Sequence, residues 1–131
     1  MKHDEFIGRV QHLAQMSSRG DAERATWATL QTLGERLAGG ETKDFAAQLP
    51  PQLAQYALSG LAGMGERFPV EEFVLRVSDR EGVMPGLAPR HACAVLCVLQ
   101  EALTQGEVQD IRSQLPKEYD SLFDASNLAR I

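Results

Sequence analysis

The sequence contains a second copy of part of itself, and this duplication limits the possible folds more than any other feature. Residues 28–50 recur as residues 94–116, and eleven of the twenty-three aligned positions are identical, where composition alone predicts about one or two. The identical pairs, which combine core, capping and helix-stop positions, are Ala28/Ala94, Leu30/Leu96, Leu33/Leu99, Glu35/Glu101, Leu37/Leu103, Gly40/Gly106, Glu41/Glu107, Asp44/Asp110, Gln48/Gln114, Leu49/Leu115 and Pro50/Pro116. A duplicated fold unit is therefore predicted.

Apolar residues at helical spacing predict the first two helices of each unit. Residues 6–14 carry the first apolar stripe, and the pattern of residues 5–10 recurs over residues 72–77 at a shift of 67. A longer helix is predicted over residues 21–38 and, in the second copy, over residues 89–104. The change of shift from 67 to 66 predicts a loop between the first helix and the second.

Glycine, acids and proline mark the remaining elements of each unit. Gly40 and Gly106 are expected to end the long helices, because glycine adopts the left-handed conformation of a helix end at little steric cost. A short helix then begins with acidic residues and stops at Leu-Pro, where the proline suits the first turn of a fourth helix. No segment alternates like a strand. The predicted fold class is all-α, a helical bundle built from two tandem four-helix repeats.

Length and composition predict one domain that does not bind nucleic acid. The chain has 131 residues, enough to bury roughly two thirds of its unfolded surface around one core. We expect a single domain over residues 1–131, with repeats at about 3–60 and 68–124 and a glycine-rich hinge at 60–69. The thirteen basic residues are scattered among eighteen acids, for a net charge of −5. No nucleic-acid partner is predicted, since phosphate binding needs clustered Lys and Arg.

The sequence also predicts a cytoplasmic location. No apolar run approaches the roughly 18 residues of a membrane span, and the charged N-terminus lacks the apolar segment of a signal peptide. The two cysteines, Cys93 and Cys97, lie four apart on one predicted helix, where the geometry for a disulfide is poor. Free thiols are typical of a reducing compartment.

His91, Cys93 and Cys97 are the one cluster of soft metal-ligand types. The two cysteines share a helix face, but His91 lies two residues from Cys93 and points elsewhere. The counterparts of the two cysteines in the first copy are Trp27 and Gln31, which are not metal ligands here. Free cysteine usually behaves as a small buried apolar residue. This structural role is favoured, and no metal site is predicted.

The repeated acids form the second candidate site. Glu41 with Asp44, and Glu107 with Asp110, resemble paired carboxylates for acid–base chemistry. Their position in the first turn of a short helix favours a capping and dipole role instead. The three histidines fall on separate segments and form no catalytic motif. No catalytic residue and no cofactor is therefore predicted.

The second long helix differs from the first in being apolar on every side. Residues 92–99 are all apolar, whereas the first copy has three threonines and a glutamine at four of the eight matching positions. A helix that is apolar all round is either buried or covered by a partner. We expect this helix to be the central one of the bundle.

Three motifs, each present twice, resemble a known family. They are Asp4-Glu5-Phe6 with Val10, Gly39-Gly40-Glu41 with Asp44, and Gln48-Leu49-Pro50, with copies at Glu71-Glu72-Phe73 with Val77, Gly106-Glu107 with Asp110, and Gln114-Leu115-Pro116. The sequence resembles the bacterial family known as domain of unknown function 2267. The resemblance implies a small helical bacterial protein, and it supplies no activity, cofactor or site residue.

These observations favour a binding protein over an enzyme. The expected function is a non-enzymatic cytoplasmic helical-repeat module for protein–protein interaction or self-association, because two-repeat helical proteins present grooves between their units. The alternative is a small-ligand or metal-binding protein, or an enzyme, with a cleft between the repeats near Trp27, His91 and Cys93.

Overall fold

A computed structural model describes residues 1–60 and 65–129 of the chain. Within these ranges the regular structure is helical and contains no strand, which confirms the all-α prediction. Its helices are α1 (His3–Ala14), α2 (Arg19–Arg36), α3 (Glu41–Ala46), α4 (Pro51–Leu58), α5 (Val70–Glu81), α6 (Ala88–Ala102), α7 (Gln105–Ser113) and two 3₁₀ helices, Lys117–Phe123 and Ala125–Ala129. Residues 61–64 of the predicted hinge lie outside the described residues.

Neither long helix ends at its predicted glycine. In the first copy, α2 ends at Arg36 and Leu37 is extended. Gly39 and Gly40 adopt positive φ angles after this end, and Gly40 is the N-cap residue of α3. The prediction that Gly106 ends the second long helix is wrong, because Gly106 lies inside α7. Helix α6 ends at Ala102, the position equivalent to the end of α2, and Leu103 is extended in the same way as Leu37. The Thr104 hydroxyl accepts a hydrogen bond from the Glu107 amide at 3.3 Å, which starts the next helix.

Helix α6 lies at the centre of the molecule. All eight residues from Ala92 to Leu99 are buried, and α6 packs against α1, α2, α5 and both 3₁₀ helices. This burial confirms the expectation drawn from its uniformly apolar sequence.

The first helix of each copy packs on both long helices. Helix α1 packs on α2 and α6, and its counterpart α5 also packs on α2 and α6. Two ion pairs cross between the copies: Arg9 Nη2 lies 2.8 Å from Glu101 Oε2, and Arg76 Nη1 lies 3.1 Å from Glu35 Oε1. Because these arginines and glutamates occupy equivalent positions in the two copies, each copy contributes an arginine to the other's long helix.

The short helices meet through a second reciprocal pair of contacts. The Thr104 amide donates to Gln48 Oε1 at 2.9 Å, and the Ala38 amide donates to Gln114 Oε1 at 2.8 Å. Ala38 corresponds to Thr104, and Gln48 to Gln114, at the 66-residue shift. These bonds hold α3 of the first copy beside α7 of the second, at what we call the repeat junction: helices α3 and α7 and the segments that enter and leave them.

Candidate functional site at the repeat junction

Three carboxylates converge where α3 meets α7. Glu41 is the first residue of α3, and Glu107 lies in the first turn of α7, with Asp110 three residues further along the same helix face. One carboxylate oxygen from each residue lies within 4.8 Å of the other two. We call these three residues the carboxylate cluster.

Glu41 and Glu107 are buried without a compensating charge. Each side chain belongs to a residue that is only 8% exposed, and each Oε2 atom is buried without a hydrogen-bond partner. No basic side chain among the described residues forms an ion pair with any member of the cluster. A carboxylate removed from water without a partner loses solvation that nothing replaces.

The electrostatic consequence is a strongly raised pKa at Glu41. Burial is the largest cause, followed by the hydrogen bond and charge of Glu107 and by the charges of Asp110 and Asp44, and together they raise the pKa of Glu41 from 4.5 to about 8. At neutral pH the site therefore favours either a bound proton or a bound cation.

The capping role predicted for these acids does not describe their contacts. They do lie in first turns, but α3 has no side-chain cap and the side-chain cap of α7 is Thr104. The carboxylates of Glu41 and Glu107 approach each other across the junction instead. The recurrence of the same acids in both copies was the available sequence signal, and the packing of α3 beside α7 brings Glu41 and Glu107 together. Asp44, the fourth acid, is exposed.

A groove of about 730 Å³ is lined in part by the segments that enter α3 and leave α7. Its lining comes from both copies and from the segment between them, and consists of Arg36, Ala38, Gly65, Arg67, Phe68, Pro69, Ser113, Gln114, Leu115, Pro116 and Glu118. We call it the junction groove. Two arginines line it, Arg36 and Arg67, together with one acid, Glu118, which accepts a hydrogen bond from the Val70 amide at 3.0 Å.

Arg36 is almost completely buried in the wall of this groove. Only 6% of the residue is exposed, and Arg36 Nε donates to the Phe68 carbonyl at 2.9 Å. Its guanidinium carbon lies 5.4 Å from the centre of the Tyr119 ring and 5.8 Å from that of Phe68, distances at which ring faces attract cations. Among the described residues no Asp or Glu forms an ion pair with Arg36.

The sequence matches the model of one known protein family. The family model described as "Uncharacterized conserved protein (DUF2267)" matches residues 3–122. The chain belongs to the DUF2267 family. This finding confirms the resemblance carried by the paired motifs, and it assigns no function to any residue. No curated protein matches the sequence. In the described part of this DUF2267 protein, none of the helices combines the length and the apolar character needed to cross a membrane.

The cysteines predicted to be structural are buried in this DUF2267 protein. Cys93 and Cys97 are free thiols whose sulfur atoms lie 3.9 Å apart, and Cys93 Sγ donates to the Asp124 carbonyl at 3.4 Å. The hydrogen bond with Cys93 and burial together raise the pKa of Cys97. Both effects disfavour a reactive thiolate at this position.

His91 and Trp27 do not join the cysteines in a common pocket. His91 Nδ1 lies 2.5 Å from Glu81 Oε2, and Trp27 is half-buried against the main core. The pocket beside Cys93 has a volume of about 300 Å³ and is lined by Gly86, Pro89, Arg90, Cys93, Ser121, Leu122 and Asn127. Since neither His91 nor Trp27 contributes to it, the geometry gives no support to a cleft shared by Trp27, His91 and Cys93.

Proposed function

We propose that this DUF2267 protein is a non-enzymatic binding module that holds an acidic, extended segment of a partner protein in the junction groove. The observation that carries this proposal is Arg36, a buried cation in the groove wall without a carboxylate partner among the described residues. We also propose that the protein is cytoplasmic, and the two free, buried thiols support this location.

Charge complementarity selects an acidic ligand. A buried guanidinium loses much of its hydration, and one backbone carbonyl, the Tyr119 hydroxyl and two ring faces replace only part of it. A carboxylate matches the planar fork of arginine with two parallel hydrogen bonds. Arg67, which is exposed on the same groove, offers a second positive charge. The groove is therefore complementary to carboxylates.

The shape and apolar lining select an extended chain. Phe68, Pro69, Leu115 and Pro116 line the groove between its polar groups, and apolar walls with a few placed polar groups are typical of peptide-binding surfaces. Support for binding rather than catalysis comes from Ser113, the one hydroxyl in the lining. Its Oγ donates to the Asp110 carbonyl at 2.8 Å, and no histidine lies in the groove lining to activate it.

The test is a binding measurement with defined peptides. A fluorescein-labelled peptide with glutamates flanking Leu-Pro is compared with the same peptide carrying glutamine, by fluorescence anisotropy. We expect the glutamate peptide to bind about ten- to one-hundredfold more tightly, the range given by one or two charge-assisted hydrogen bonds. Equal affinities for the two peptides would contradict the proposal.

Matched variants assign the binding to the groove. Arg67→Glu should weaken the affinity for the glutamate peptide by about tenfold or more. Lys2→Glu makes the same charge change at another exposed position and should leave this affinity unchanged. Arg36→Lys keeps the charge but loses the planar fork, so it should also weaken binding. Circular dichroism melting checks that each variant is folded.

Native mass spectrometry of the untagged protein, purified from its own source, identifies the occupant. A heteromeric complex that Arg67→Glu dissociates would support a partner protein. A homodimer that the same variant dissociates would show that the acidic segment comes from a second copy of this chain. If both species survive the variant, the groove is not their interface.

A further inference from the structure

We propose that Glu41, Glu107 and Asp110 bind a hard divalent cation of the Ca²⁺ class between the two copies. The proposal goes beyond the groove and does not depend on it. Its geometric basis is the separation of the three carboxylate oxygens, which lie within 4.8 Å of one another. Carboxylate oxygens this close together can share one divalent cation, whose oxygen ligands lie at about 2.3–2.6 Å for Ca²⁺ and about 2.0–2.1 Å for Mg²⁺.

A second observation points to a ligand rather than to an ordinary acidic surface. Glu41 and Glu107 are more than nine-tenths buried, and each has a buried Oε2 atom without a hydrogen-bond partner. An unpaired buried acceptor costs about 1–3 kcal/mol, and more when it is charged. A cation placed between the two carboxylates would neutralise both and would fill the unused coordination of these oxygens.

The donor set selects the class of metal. The cluster offers carboxylate oxygens and no sulfur or imidazole nitrogen, and such sites prefer Ca²⁺, Mg²⁺ and Mn²⁺ over Zn²⁺ or Cu²⁺. Asp110 is exposed, so the ion has a path from solvent and can keep water in its remaining coordination positions. The site therefore suits an ion that accepts a mixture of protein and water oxygens.

The location gives the ion a structural consequence. Glu41 belongs to α3 of the first copy, and Glu107 and Asp110 belong to α7 of the second. A bound ion would therefore connect helices that are otherwise joined at their ends by the reciprocal glutamine contacts of Gln48 and Gln114. Cation binding should stabilise the paired copies by mass action.

The test is a thermal titration of the full chain, first freed of metal with chelator, with CaCl₂, MnCl₂ and MgCl₂ as separate probes. At a free Ca²⁺ concentration of about ten times Kd, the midpoint of unfolding should rise by about 4–8 °C. Mn²⁺ supplies an independent readout, since its electron paramagnetic resonance signal falls on binding. No rise with any of the three ions, together with an unchanged Mn²⁺ signal, would overturn the proposal.

Isosteric variants assign the effect to the cluster. Glu41→Gln and Glu107→Gln remove a charge with almost no change in shape, and each should weaken Ca²⁺ binding by about tenfold or more. Glu71→Gln, at an exposed position of α5, removes the same charge away from the cluster and should bind Ca²⁺ like the wild type. Equal binding by all three variants would refute the assignment. Arg67→Glu should leave the Ca²⁺ response intact, which separates this test from that of the groove.

A proton is the competing occupant, and the same variants distinguish it. If Glu41→Gln stabilises the metal-free protein while the wild type ignores all three cations, the pair of glutamates shares a proton and the cation proposal fails. If the wild type responds to Ca²⁺ and the variant does not, the cation proposal is supported.

Discussion

Replacement of Glu41 by glutamine should stabilise the metal-free protein at alkaline pH, although most substitutions at buried positions destabilise a fold. Glutamine has nearly the shape of a protonated glutamate, and its amide can donate to Glu107. The substitution therefore removes the repulsion from Glu107 and Asp110 and preserves the packing. The expected gain depends on how much Glu41 is ionised in the wild type.

The pKa of Glu41 sets both the sign and the size of this gain. Its pKa rises from 4.5 to about 8 on folding, so the folded state binds the proton more tightly than the unfolded state. Stability from this group is fully present below about pH 4.5 and is lost as the pH rises through about 8. The difference between these two pKa values corresponds to a loss of roughly 5 kcal/mol in the free energy of unfolding. Because Asp110 is exposed, solvent screening lowers the expected loss, and we expect about 2–4 kcal/mol.

Urea denaturation in the presence of EDTA measures this difference. At about pH 5 the wild type and Glu41→Gln should differ in unfolding free energy by less than about 1 kcal/mol, because both carry a neutral side chain. At about pH 8.5 the variant should be more stable by about 2–4 kcal/mol. The control Glu71→Gln should show no such trend. A variant that is less stable than the wild type at alkaline pH, or a difference that does not change with pH, would refute the electrostatic argument.

Three further results are expected. Gly34→Ala should lower the free energy of unfolding by about 2–4 kcal/mol, because a Cβ atom there would lie 2.3 Å from a backbone carbonyl oxygen of α4. Gly8→Ala, whose Cβ atom would meet nothing within 4 Å, should raise it by about 0.5–1 kcal/mol. Urea melts check both variants, and equal effects would contradict the close contact. Glu35→Gln should lower the free energy of unfolding by about 1–3 kcal/mol, since two arginines share its carboxylate, which is 16% exposed. Glu101→Gln should lower it by about 0.5 kcal/mol, because the equivalent carboxylate is 41% exposed. Urea melts of both variants at low and high salt test the difference. The two buried thiols should react with Ellman's reagent only after unfolding in urea, and rapid reaction of the native protein would contradict their burial.

Glu35 also shows why equivalent positions in the two copies differ in strength. Burial raises the pKa of this carboxyl, but the hydrogen bonds and charges of Arg80 and Arg76 outweigh burial and lower it. Its counterpart Glu101 meets Arg9 on an exposed surface. The sequence shows both glutamates as identical repeat positions. The number of arginines that reach each one depends on packing, which the alignment of the two copies does not contain.

The fold class could be predicted because it depends on local patterns. The helical spacing of apolar residues located the long helices to within two residues at each end, and the uniformly apolar residues 92–99 indicated the central helix. Gly106 was assigned wrongly because two local signals competed. A glycine after a helix predicts its end, but Thr104 two residues earlier is a good N-cap, and its hydroxyl bonds to the Glu107 amide.

The sequence by itself determined that the chain is helical, that it is duplicated, and that the same acids stand in the first turn of both short helices. Those properties follow from residue spacing and from chemistry within a few positions of the chain. The tertiary structure alone decided that Glu41 faces Glu107. This contact spans 66 residues and depends on the packing of α3 beside α7. Two carboxylates that look like separate helix-start residues in the sequence become one buried pair, because folding removes both from water at the same place.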